Sequence, residues 1–171
     1  MSRPKKSKTP QTKAASKTAA KATPAEIAAE GSASTILFAA AALLALVGLG
    51  DSIYLTVEKL AGVLPQCSYG GCEEVLNGPY STIGPVPVSA LGVLAYFAAF
   101  SLATLAAFGK RKLGDLLFYL VALMLAVSIF LFILQAYVIG HFCQFCLISA
   151  AMTVLLALIV AAERFYFRRR Q

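Results

Sequence analysis

Four long stretches of the chain are almost purely apolar: residues 34–57, 86–108, 116–139 and 142–162. None alternates with the period of two that marks a half-buried strand. As a helix, each stretch of about 20 residues or more rises ~1.5 Å per residue and crosses a hydrocarbon core of ~30 Å. In lipid the backbone must satisfy its own polar groups, which leaves helices or closed barrels, and the missing alternation selects helices. The expected fold is an all-α integral membrane protein, a four-transmembrane-helix bundle. Its one sizeable polar loop, about Glu58 to Pro85, joins helices 1 and 2, whereas helices 3 and 4 are joined by a short turn at Gly140–His141. Residues 1–33, rich in Lys, Thr, Ala, Ser and Pro, cannot bury enough apolar surface to offset ordering and are expected to form a disordered basic tail. Residues 163–171 form a second basic tail.

Composition agrees. Of 171 residues, 59% are hydrophobic and 13% charged, a balance that excludes a wholly disordered chain and an ordinary soluble domain. The net charge of +7 reports topology rather than an acidic substrate. Fourteen of the fifteen Lys and Arg residues lie in the N-terminal tail, at Lys110–Lys112 between spans two and three, or after span four; only Lys59 lies elsewhere. By the positive-inside rule both termini are cytoplasmic and the Glu58–Pro85 loop is extracytoplasmic. Anionic lipid heads suit these basic segments. No aromatic residue interleaves the tail lysines, so nucleic acid is not an expected partner. The bacterial plasma membrane is the expected location, and the Ser/Thr-rich, acid-poor start leaves an organelle membrane open.

This topology puts all four cysteines on the extracytoplasmic face, where disulfides persist. Cys143 and Cys146 stand in C-x-x-C spacing where span four begins, so they face one side and lie close enough to bridge. A helix N-terminus favours a thiolate at Cys143, the species that attacks a disulfide. Cys146, one turn deeper, is expected where lipid begins and a hydrophobic oxidant can reach it. Cys67 and Cys72 enclose Gly70 and Gly71, which let the chain turn tightly enough to pair them in an exposed, mobile bridge. A purely structural loop disulfide is the plainer reading. A four-thiolate zinc site fits the spacing poorly. Covalent haem attachment needs a His where Leu147 stands.

The run YLTVEKL, then a cysteine pair, then VLNGPYSTIGPVPVSALGVLAYF, then CQFCLISA resembles the bacterial and plastid vitamin K epoxide reductase family over about Leu49 to Ala162. The resemblance implies a four-helix bundle holding a quinone (menaquinone, ubiquinone or phylloquinone type) near the outer face. It implies that a thioredoxin-fold partner gives electrons to Cys67 and Cys72, which pass them to Cys143 and Cys146. Cys146 then reduces the quinone, and the partner leaves oxidised to install disulfides. Many members carry the thioredoxin-like domain fused after the helices; here the partner is expected to be a separate protein. Members usually have a Ser six residues after the second loop cysteine, where this chain has Gly78 preceded by Asn77, with Ser81 nearby. Asn77 and Gly78 are therefore the expected quinone-site residues beside Cys146.

Other residues keep two readings. Asp51 is an interfacial acid or delivers protons during quinone reduction. His141 sits at the interface or stabilises a thiolate. Glu73 and Glu74 solvate the loop, start a helical turn or act on Cys72. Tyr54, Tyr80, Tyr96 and Tyr137 fit an interfacial aromatic belt, and any one of them could bond a quinone. The expected activity is thiol–quinone oxidoreduction. Vitamin K epoxide reduction through the same cysteines and a non-enzymatic four-helix scaffold with a structural disulfide are the alternatives.

Overall fold

A computed structural model of the protein describes residues 24–63, 67 and 71–168. Five α-helices and one two-stranded hairpin follow in the order α1 (Pro24–Ala61), α2 (Cys72–Asn77), β1 (Thr82–Ile83), β2 (Val86–Pro87), α3 (Val88–Ala107), α4 (Arg111–Ile133) and α5 (Gln144–Arg168). The last turns of α4 widen into a π-helix, Leu134–Ile139. Four helical stretches are long and apolar enough to cross a membrane: Ser32–Ala61, Val88–Ala107, Lys112–Ile139 and Gln144–Phe165.

The helix boundaries differ from expectation at both ends. α1 begins at Pro24, ten residues before the expected start at Ser34. Pro24 suits a first helical position, and the Ala and Glu residues that follow are strong helix formers, so a low-complexity composition here conceals helix propensity. The expected disordered tail otherwise falls on residues 1–23, outside the described residues. α5 runs on to Arg168, into the expected C-terminal tail. It starts at Gln144, two residues after the expected Phe142, so Cys143 precedes the helix.

α1 packs on α3 and α5, and α4 packs on α3 and α5, closing a four-helix bundle. Small residues let the backbones approach: Ala41 and Ala45 of α1 and Ala99, Ala103 and Ala106 of α3 are buried in one cluster with Phe38, Leu117 and Leu156. Large side chains such as Leu43, Leu94, Leu123 and Leu158 point outward, each more than 60% exposed. That inside-out distribution suits lipid and not water.

One contact ties the core to the site above it. A Cβ at Gly48 would come within 2.3 Å of the Tyr96 ring, so only glycine lets Tyr96 lie against α1. Gly48→Val is expected to destabilise the protein by about 1–3 kcal/mol through overpacking. Thermal unfolding in detergent measures this, with Gly50→Val, where a Cβ meets nothing within 4 Å, as the control.

Candidate functional site: two cysteine pairs over an apolar cavity

The site lies at the end of the bundle where α1 finishes and α5 begins. Cys143 caps α5: its carbonyl accepts the first helical bond from the Leu147 N–H at 3.0 Å. Its own N–H donates to Gln135 Oε1 at 3.2 Å. Gln135 reaches that position because the π-helical turn adds a residue to the α4 repeat and swings the side chain inward, where it is buried. The same amide lies within hydrogen-bonding reach of the Cys146 thiol. Gln135 therefore touches both members of the C-x-x-C pair.

Cys143 and Cys146 are free thiols, the first fully buried and the second half-buried. The Cys146 thiol hydrogen-bonds to Cys143, and the N–H groups of Phe145 and Cys146 point toward it. Together these hold the Cys143 thiol below its usual range against the opposing effect of burial.

Cys67 and Cys72 form a disulfide, with Cα atoms 6.2 Å apart. The expectation of an exposed bridge is corrected on one side: Cys72 is 2% exposed. The reason lies next door. Gly71 has φ +80°, and a Cβ there would come 2.8 Å from the Phe142 carbonyl oxygen and 3.3 Å from His141 Cβ. The N-terminus of α2 is thus pressed onto the His141–Phe142 segment that leads into Cys143. Glu73 and Glu74 form the first turn of α2, which fits the positive end of a helix.

Lys59 secures the other end of α2. Its ammonium donates to the Leu76 carbonyl, to Asn77 Oδ1 at 3.3 Å and to Ser81 Oγ at 3.3 Å. Three donors meet three acceptors, so the helix C-terminus and the turn entering the hairpin are tied to the end of α1.

Beneath this cap lies a cavity of about 650 Å³, walled mostly by apolar side chains of α1, α3, α4 and α5. Its polar members include Cys146, Gln135, Ser52, Tyr96 and Lys59. Asn77 and Gly78 are not on its wall; their neighbours Leu76, Pro79, Tyr80 and Ser81 are. Asn77 is taken up by Lys59 instead. A Cβ at Gly78 would come 2.8 Å from the Glu74 carbonyl oxygen, so the chain in this conformation leaves no room for a serine there. Tyr96, expected in an interfacial belt, is 2% exposed. Its hydroxyl lies 2.8 Å from the Ser149 carbonyl oxygen, 3.0 Å from Ser149 Oγ and 2.8 Å from Thr153 Oγ1.

Gln135 and Lys59 were within reach of sequence reasoning. Gln135 is the one amide in an otherwise apolar third span, and a polar group in such a span is functional by default. Lys59 is the one basic residue off the cytoplasmic pattern. Gln135→Leu strands the Cys143 N–H at a cost of about 1–3 kcal/mol, and with that cost carried into the exchange step thiol–disulfide turnover is expected to fall about fivefold to 150-fold. Steady-state turnover of the purified variant checks it.

A curated relative, Thiol-disulfide oxidoreductase LTO1 of Arabidopsis thaliana, is 30% identical over 113 residues. The match covers 60% of this chain and 30% of the relative, so the chain spans under a third of that protein's length. The sequence model of the Vitamin K epoxide reductase family matches residues 39–161, a segment that holds the cavity, the Lys59-tied cap and both cysteine pairs. The chain belongs to the vitamin K epoxide reductase family.

Proposed function

We propose that the protein is a membrane thiol–quinone oxidoreductase that reoxidises a thioredoxin-fold partner and so supports disulfide formation. Electrons enter at Cys67–Cys72, pass to Cys143–Cys146 and leave to a quinone in the cavity. The observation that carries this reading is the division of the C-x-x-C pair: Cys146 lines the apolar cavity, while Cys143 is fully buried and directly follows the His141–Phe142 segment that lies against Gly71, the neighbour of Cys72. One pair then faces a water-soluble dithiol and the other a lipid-soluble acceptor.

The chain's own residues suit each step. The loop disulfide is opened by a partner thiolate. A loop thiolate next attacks Cys143 Sγ, and Cys146 departs. The second loop thiolate then attacks the loop sulfur bound to Cys143, closes the loop disulfide and releases Cys143 as a thiolate, to which Cys146 and the start of α5 donate hydrogen bonds. Gln135 keeps both sulfurs in register. The cavity has the size and apolar lining of a small-molecule site, with few polar groups to orient a ring. A quinone there supplies a two-electron, two-proton sink.

The LTO1 name describes a thiol–disulfide oxidoreductase, which supports the same class of chemistry for this chain. The placement of fourteen of the fifteen basic residues supports cytoplasmic termini and an extracytoplasmic cap. The test is quinol formation by the purified full chain in lipid vesicles with a reduced thioredoxin-fold protein outside. One quinol per partner disulfide is expected. No quinol with that partner or with dithiothreitol would overturn the reading.

A further inference from the structure

α1 presents two different stripes near its end. Ser52, Leu55 and Lys59 line the cavity. One residue earlier on each turn, Asp51, Tyr54 and Glu58 form a second stripe at the same spacing, which places them on one neighbouring face of the helix. None of the three lines the cavity. The Tyr54 ring lies 5.3 Å from the Phe145 ring, centroid to centroid, and Phe145 stands between Cys143 and Cys146 in sequence. The second stripe thus meets the C-x-x-C turn from the side away from the quinone site.

Its acids are unused by the mechanism above. Asp51 Oδ2 and Glu58 Oε2 are enclosed and have no hydrogen-bond partner among the described residues. The Tyr54 hydroxyl is hydrogen-bonded to Glu58. Asp51 lies within electrostatic reach of both Cys143 and Cys146. A carboxyl group is costly in a membrane span, and an acid there without an ion partner marks a proton path by default.

We propose that Asp51 is the proton donor and acceptor for Cys146, with Tyr54 and Glu58 linking it to the α2 end of the bundle. The proposal rests on the two-pair reading and fills a gap in its proton balance. When a loop thiolate attacks Cys143, a new S–S bond forms, the Cys143–Cys146 bond breaks, and Cys146 departs with the electron pair. Asp51 gives its proton to that sulfur, which becomes the Cys146 thiol, and the Asp51 carboxylate recovers a proton through Tyr54 and Glu58. The second loop thiolate then attacks the loop sulfur bound to Cys143 and releases Cys143 as the thiolate.

The other groups around this stretch are occupied or neutral. From α5 the titratable neighbours are Cys143 and Cys146 themselves, and Gln144 Oε1 is enclosed without a partner. From α3, Tyr96 is bound to Ser149 and Thr153. From the π-turn, Gln135 is uncharged. Lys59 is held by Leu76, Asn77 and Ser81. His141, Glu73 and Glu74 belong to the α2 junction.

The test follows electron transfer between the two pairs without quinone. The oxidised full chain is mixed with excess reduced thioredoxin-fold protein, which is too large to enter the cavity, quenched in acid at set times and alkylated, and the modified Cys143 and Cys146 are counted across a pH series. Asp51→Asn is expected to slow this exchange tenfold or more and to change its pH profile by one ionisation, while Asp51→Glu stays within about threefold of wild type. Superimposable Asp51→Asn and wild-type profiles would overturn the proposal. A second measurement needs no exchange: in a Cys143→Ser background, the pH profile of Cys146 alkylation is expected to shift on Asp51→Asn, and an unmoved profile overturns it. If wild type shows no exchange between the pairs, the two-pair reading fails, and the Cys146 profile still decides the role of Asp51.

Discussion

Cys146→Ser is expected to reduce quinone reduction at least about a thousandfold, to the background rate, with the protein still folded. A hydroxyl neither forms the disulfide nor carries electrons into the cavity. Cys143→Ser is expected to do the same for a different reason: Cys146 still opens onto the cavity but has no partner with which to close the S–S bond. The two variants separate on titration. In reduced Cys146→Ser, ultraviolet thiolate absorbance is expected to put the Cys143 midpoint above its wild-type value, since the hydrogen bond from Cys146 is the main influence that lowers it. The sign follows from the acceptor state: a donor lost from a thiolate makes the proton harder to remove. Turnover in either variant within tenfold of wild type would defeat the relay.

Cys67→Ser and Cys72→Ser are expected to lower turnover driven by a thioredoxin-fold partner by a hundredfold or more, while turnover driven by dithiothreitol stays within about fivefold of wild type. The reason is geometric. A small dithiol enters by the cavity and meets half-buried Cys146 directly. A folded partner cannot do so, and Cys143 is shut beneath the junction of Gly71 with His141 and Phe142. Only the loop pair connects a protein donor to the buried pair. Steady-state assays with the two reductants check it. Equal loss with both would recast the bridge as a structural staple for α2.

The bundle was readable because lipid makes a simple demand. Four apolar stretches with no period-two pattern satisfy their backbones in lipid as helices. The close approach of Cys143 and Cys146 was readable for a related reason: C-x-x-C at a helix start defines its own geometry over one turn. Helix ends were less legible. The start at Pro24 was hidden by a composition that serves a loose tail and a helix equally well, and the start at Gln144 depends on a cap at Cys143 that packing supplies. Asn77 looked like a quinone contact because an amide beside Gly78 offers donor and acceptor groups. In the fold it faces Lys59, a residue eighteen positions away, and no local pattern reports such a pairing. Tyr96 looked interfacial from its place in span two, but Gly48 opens the space that admits it to the core.

Sequence alone determined that this chain carries four apolar helices, a basic face and two dithiol motifs on the opposite face, since length, hydropathy and charge act locally and add along the chain. Tertiary structure decided which groups share the cavity with Cys146, that Cys72 is buried next to the glycine that touches the approach to Cys143, and that Asp51 stands on the face of α1 beside the cavity-lining one. Those facts depend on the rotation of each helix about its axis and on a π-helical turn. Both are set by close packing between residues far apart in sequence, such as Gly48 with Tyr96 and Gly71 with Phe142.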